Sequence, residues 1–242
     1  MTMQVGLIGM GGIVLASDTK ITTEPGGMIS AKVGRAIRCA SACSKLKFSD
    51  DGTIAVSCAE DAESACLVAE HIISDLTEEE LANPDSIPDA IVRIAEATLS
   101  KEQRQVQCLI LLADHGGLLF RLQYGQTDRK NLNSEWKAEC EPCLERGFAG
   151  DVTNPAVYWA EQYHCEFLPV RQLVPLAAQL IVSAHQLNNG FVDGLEIVLC
   201  EDSKIVPIPP DEIVRLRQTA EALNRTIGGM VFGNDQTQTS AD

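Results

Sequence analysis

Thr2 stands directly behind Met1 and directly ahead of an apolar run, Met3-Gln4-Val5-Gly6-Leu7-Ile8-Gly9. Loss of Met1 would leave a hydroxyl and a free α-amine on one residue at the head of a strand. Such a residue carries a nucleophile and its own general base, a recognised way to activate a weak hydroxyl. A free α-amine titrates at about 7.7–8.0, so only a minority is neutral at neutral pH. A neighbouring ammonium disfavours the protonated amine and lowers that value. Candidate partners are close in sequence. Asp18 and Lys20 follow a second apolar run, Ile13-Val14-Leu15-Ala16-Ser17. The chemistry these types support is acyl transfer through a hydroxyl.

Those residues need a frame. Met10-Gly11-Gly12 reads as a tight turn between the two apolar runs, which returns Asp18 and Lys20 to the Thr2 end. The stretch 22–44 is rich in Gly, Ser and Ala and reads as loop, with Pro25-Gly26-Gly27 as a turn. Lys45-Leu46-Lys47-Phe48 alternates like an edge strand, and Thr53-Ile54-Ala55-Val56-Ser57-Cys58 reads as a buried strand. Apolar residues at helical spacing predict a helix over 61–75, and Pro88 fits the first turn of another over 88–99. Strands are expected at 106–113, 118–123 and 144–149. Helices are expected at 156–163 and 175–187, a hairpin at 195–200 and 204–208, and a terminal helix at 210–223. Helices come in pairs between groups of strands, which disfavours a doubly wound parallel sheet. The pattern predicts an α+β fold of two stacked antiparallel sheets with a helical layer on each side, α-β-β-α. It forms one domain over 1–224, followed by a polar tail over 225–242.

The opening residues carry a family resemblance. Thr2, a strand with Val5 and Gly6, a Gly turn, Val14-Leu15-Ala16-Ser17-Asp18 and a basic residue two beyond the Asp resemble the proteasome β-subunit family of N-terminal nucleophile hydrolases. The resemblance extends to about residue 215 and is strongest in the first 20 positions. It implies that Thr2 is the nucleophile, Asp18 the supporting carboxylate and Lys45 the cation. Lys45 stands ahead of Ser57 by the family's spacing, and the long segment after Asp18 leaves Lys32 and Lys47 as alternatives. It further implies that a backbone N–H at Ser57 or Cys58 faces the oxyanion and that Lys20 and Thr22 border the substrate. The family's helper Ser is absent from Gly147-Phe148-Ala149-Gly150-Asp151-Val152-Thr153, where Asp151 or Thr153 stands in its place. Asn188-Asn189-Gly190-Phe191-Val192-Asp193-Gly194 lacks the family's Asp-x-x-Ser, leaving Asn189 and Asp193 as supporting candidates. The resemblance implies a threonine-type peptidase acting on peptides or unfolded protein. It would form a double ring of twelve or fourteen copies, like HslV or the bacterial proteasome homologues, and an ATPase unfoldase is a candidate partner. No metal or organic cofactor is expected. Two other classes remain: a catalytically silent ring scaffold, and an N-terminal nucleophile amidase for small molecules.

Composition bounds the remainder. A net charge of −15 over 242 residues speaks against nucleic acid, since phosphate binding needs basic stripes. No apolar run reaches the roughly 18–20 residues of a membrane span, and no signal peptide is read ahead of the first strand. The nine cysteines are odd in number and mostly lie in apolar runs, which reads as reduced thiols in a cytoplasmic protein. Cys140-Glu141-Pro142-Cys143 has metal-like spacing without a second pair. The run Glu78-Glu79-Glu80 reads as a solvated face.

Overall fold

A computed structural model describes residues 2–23, 39–42, 44–99, 104–127, 134–187 and 192–232. The fold is α+β, built on two five-stranded antiparallel sheets. The first contains β1 (Met3–Gly9), β2 (Gly12–Ser17), β10 (Arg146–Gly150), β11 (Glu196–Glu201) and β12 (Lys204–Pro207), in the order β10-β1-β2-β11-β12. The second contains β5 (Leu46–Phe48), β6 (Ile54–Glu60), β7 (Val106–Leu112), β8 (Leu118–Gln126) and β9 (Trp136–Pro142), in sequence order. A two-stranded ribbon pairs β3 (Lys20–Thr23) with β4 (Cys39–Ala42), inside a stretch expected to be loop.

Side chains alternate across each strand, and that alternation sorts the core into three slabs. Between the sheets lie Ile13, Leu15, Ala55, Leu109, Leu111 and Val198. The opposite face of the second sheet packs Val56, Cys58, Cys108 and Ile110 against α1 (Ala62–Asp75) and α3 (Ile87–Leu99). The opposite face of the first packs Val5, Leu7, Val14 and Ile197 against α5 (Val170–Leu187). The layers are therefore helix, sheet, sheet, helix. Asp61 starts α1 by accepting the Ser64 N–H at 3.0 Å, which satisfies one of the amides a helix start leaves unpaired.

Several elements differ from expectation. A short helix, α2 (Glu78–Leu81), occupies the acidic run. Thr77 and Glu80 form a reciprocal cap there that pairs two of its orphan amides. The strand β9 carries Cys140, whose side chain packs on the helical slab, while Cys143 packs between the sheets. The two thiols thus face different layers. Helix α4 (Val157–Tyr163) matches its expected place. Helix α5 begins at Val170, so Pro175 lies inside it. Proline is costly there because its ring removes a helical hydrogen bond. Val170, Leu173 and Val174 are buried, and that packing sustains the turn ahead of the proline. Helix α6 (Pro210–Phe232) runs past the expected end, into residues read as the start of the tail. Asn224 ties it to α5, accepting from Gln179 Nε2 at 2.6 Å and from Ser183 Oγ at 3.3 Å. Among the described residues no helix is long and apolar enough to cross a membrane.

Candidate active site

The β1–β2 register pairs Gln4 with Ser17, so the next residues out, Met3 and Asp18, meet at the end of the hairpin. The Met3 N–H donates to Asp18 Oδ1 at 2.9 Å, and the Asp18 N–H donates to the Met3 carbonyl at 3.2 Å. The Lys20 N–H donates to Asp18 Oδ2 at 3.2 Å. Asp18 is thereby fixed one residue from Thr2, with no solvent exposure.

Lys45 comes from the other sheet, immediately ahead of β5. It is 1% exposed, and its Nζ donates to Asp18 Oδ2 at 2.8 Å and to Thr2 Oγ1 at 2.9 Å. Burying an ammonium is costly unless it is paired and hydrogen-bonded. Asp18 supplies the charge and Thr2 a second acceptor. Burial pushes the Asp18 carboxyl up from its ordinary range, opposed by the Lys45 charge and the hydrogen bonds it receives. With Asp18 on one side, the ammonium acts on Thr2 as a short dipole with its positive end on Oγ1. A charge-assisted donor of this kind stabilises a developing alkoxide.

Thr2 is held by its own carbonyl, which accepts the Asp151 N–H at 2.8 Å. The adjoining Gly150 has φ +82°, and a Cβ there would lie 2.0 Å from the Thr2 carbonyl oxygen. Only glycine fits this approach. Gly150 N–H also donates to Gln107 Oε1 at 2.9 Å, which ties the end of β10 to β7 across the seam.

The other expected site residues fall into two groups. Lys47 ends 3.9 Å from Glu70 on α1, away from Thr2, so Lys45 is the lysine that reaches the hydroxyl. Lys32 and Asn189 lie outside the described residues. Thr22 is on β3, paired with Ala40. Cys58 is close to the site, but its N–H donates to the Lys45 carbonyl at 2.9 Å. Strand alternation turns the Ser57 amide the other way, into the β6–β7 ladder. Ser57 Oγ donates to Gln4 Oε1 at 2.7 Å and accepts the Leu109 N–H at 3.1 Å. The expectation that either amide awaits an oxyanion is corrected, because pairing within the sheet uses both. The next residue whose N–H faces that edge is Glu60, at the end of β6 with φ +70°. Asp151 contributes its backbone to Thr2, while its carboxylate accepts from Thr153 Oγ1 at 2.9 Å. Asp193 accepts from Arg217 Nη2 at 3.2 Å and from the Gly194 N–H at 2.7 Å. Its burial is outweighed by Gly194, His185, Arg217 and Lys20, which hold the carboxyl below its usual range.

Two residues near the site escaped the sequence reading. Gln4 shares Thr2's face of β1 and is fully buried, and its Nε2 has no hydrogen-bond partner among the described residues. Glu196 opens the apolar run Glu196-Ile197-Val198-Leu199-Cys200, and a charge at the head of a buried strand was the available signal. Among the described residues no group of three or more His, Cys, Asp or Glu side chains is placed to hold a metal ion. No protein-family model matches this chain, and no curated protein matches it.

Proposed function

We propose that this protein is an N-terminal threonine hydrolase of the proteasome β-like class, with the fold of that class, and that it cleaves peptide bonds. One observation carries the reading: a buried lysine bridges the hydroxyl of the second residue and a buried aspartate. Removal of Met1 frees the Thr2 amine. Thr2 Oγ then attacks the substrate carbonyl and the amine takes the hydroxyl proton. The tetrahedral intermediate collapses, and the same proton goes to the departing amine of the cleaved bond. Water, deprotonated by the Thr2 amine, attacks the acyl ester and restores the hydroxyl. Lys45 holds Oγ polarised throughout, and Asp18 keeps Lys45 paired and aimed. A backbone amide at the end of β6 supplies the oxyanion donor, a contribution worth roughly 3 kcal/mol in such sites.

In this reading the working form is a cytoplasmic homo-oligomeric double ring that admits unfolded protein. An unguarded threonine protease needs such a chamber for selectivity, which Thr2, Asp18 and Lys45 alone do not supply. An ATPase unfoldase is the partner that would deliver folded substrates.

The decisive experiment treats the Met1-processed protein with a peptide epoxyketone, which requires both the hydroxyl and the free amine of one residue. Intact mass should show one adduct per chain, mapped to Thr2, and Thr2→Ala should remove both the adduct and peptide hydrolysis. Undiminished hydrolysis by Thr2→Ala ends the mechanism. Sedimentation at micromolar concentration should give a ring. A sole species of monomer or dimer mass, with the adduct still formed, replaces the peptidase reading with a small-molecule amidase. A ring with free Thr2 but no turnover makes the chain a scaffold subunit.

A further inference from the structure

Among the described residues the short strand β5 is the edge of its sheet, paired only with β6. Lys45 sits just ahead of it, where the ladder gives out. Its carbonyl is still held by the Cys58 N–H, but its own N–H leaves the ladder and donates to Glu196 Oε2 at 3.2 Å. The same carboxylate oxygen accepts from Ser44 Oγ at 3.2 Å. The Leu46 N–H adds a further hydrogen bond to this carboxylate. Ser44 Oγ also donates to the Leu46 carbonyl at 2.8 Å, which closes a small loop around the Lys45 backbone. Glu196 belongs to the first sheet, where it pairs with Ser17, the neighbour of Asp18. One carboxylate rooted beside Asp18 thus grips the backbone of the segment that delivers Lys45 from the opposite sheet.

Glu196 is half-buried, and burial pushes its carboxyl up from its ordinary range against the donors that hold it. A partly desolvated charge at an otherwise apolar strand head calls for a return. The return is placement. Lys45 Nζ must lie within hydrogen-bonding reach of two atoms, one just ahead of β1 and one just past β2, at the end of a flexible four-carbon stem. The stem's root is set by an edge strand of three residues, a weak anchor by itself. A displacement of about 1 Å at a reacting group can cost a hundredfold in rate.

We propose that Glu196 is a positioning residue for Lys45, fixing the 44–46 backbone so that the ammonium bridges Thr2 and Asp18. This rests on the hydrolase reading for its effect on rate, but the grip itself does not.

The test uses the full chain with Met1 removed, a short fluorogenic peptide, and nuclear magnetic resonance of the Lys45 Nζ and of the Lys45 and Leu46 amides. Glu196→Ala should lower kcat at least about tenfold with KM within about twofold, because the loss is in the transition state rather than in binding. It should also shift the Lys45 Nζ resonance and speed exchange of both amides. Glu196→Gln keeps an acceptor of the same size and should restore kcat to within about threefold of the parent. An unchanged Nζ resonance and unchanged amide exchange in Glu196→Ala overturn the proposal, whatever the activity. A parent that cleaves nothing, with an Nζ resonance that still moves in Glu196→Ala, removes the hydrolase reading and upholds the grip. If Glu196→Ala does not fold, Ser44→Ala removes one donor and should shift the same Nζ resonance by a smaller amount. No shift there overturns the proposal.

Discussion

Replacing Lys45 by methionine keeps an unbranched stem of similar length and deletes the charge. Asp18 then remains in place with 0% exposure and, among the described residues, the Met3 and Lys20 amides as donors. Removing one partner of a buried ion pair costs about 3–5 kcal/mol, because the other charge is left uncompensated. For a chain of this size each kcal/mol moves the melting temperature by about 2–4 °C, so the expected fall is about 6–20 °C. The dependence on pH follows from Asp18. Burial already raises its pKa above the ordinary 3.8, and Lys45 opposes that rise, so the variant raises it further. A carboxyl with a raised folded pKa binds its proton more tightly when folded. Its stabilising contribution is full below the unfolded pKa and is lost as pH rises through the folded one. The stability deficit of Lys45→Met should therefore be full at mildly alkaline pH and shrink on acidification. Urea titrations at a series of pH values, on parent, Lys45→Met and the double variant Asp18→Asn/Lys45→Met, provide the assay. The double variant should recover at least half of the deficit, since it removes the stranded charge. A deficit under about 1 kcal/mol, or one that grows on acidification, refutes the argument that the pair is buried and charged.

Two other perturbations follow from the geometry. Gly150→Ala puts a Cβ 2.0 Å from the Thr2 carbonyl oxygen at φ +82°, and should cost about 1–3 kcal/mol in urea unfolding along with any Thr2 reactivity; a parent-like melting temperature would show that the turn accommodates it. Asp61→Ala removes the cap of α1 and the Arg104 partner, and should cost about 1 kcal/mol in thermal melts at neutral pH. Despite partial burial, Ser64 and Arg104 lower the Asp61 pKa, so this loss should be present above its ordinary 3.8 and fade as pH falls through the folded value.

The hairpin at the head of the chain was legible because strict strand patterning and a Gly turn leave one register, and that register sets Asp18 beside Thr2. Long periodic helices were legible for the same reason: 61–75 and 88–99 agree with α1 and α3 to within one residue at each end. What sequence reading lost was decided by tertiary partners. Trp136-Lys137-Ala138-Glu139-Cys140 lies in β9, a strand absent from the expected set. Pro175 read as a helix start because propensity argues that way, whereas buried contacts of Val170 and Leu173 hold a turn ahead of it. The choice of Lys45 over Lys47 came from resemblance and spacing. Only the geometry shows that Lys45, ahead of the strand, reaches Thr2 while Lys47 reaches toward Glu70 on α1. The amides of Ser57 and Cys58 illustrate the remaining limit. Whether an N–H is free depends on which neighbour strand it meets, and no single strand's sequence contains that.

The seam between the sheets has a consequence for the life of the newly made chain. Thr2 and Asp18 ride on one sheet, and Lys45 rides on the edge of the other. A half-built molecule, with both sheets hydrogen-bonded but not yet pressed together, would contain every residue of the set in its proper strand and still lack the ammonium at the hydroxyl. If Thr2 is the nucleophile proposed above, its reactivity would arrive only with closure of the sandwich. The threonine would then stay inert during synthesis and early collapse, and become competent in the same event that gives the protein its shape.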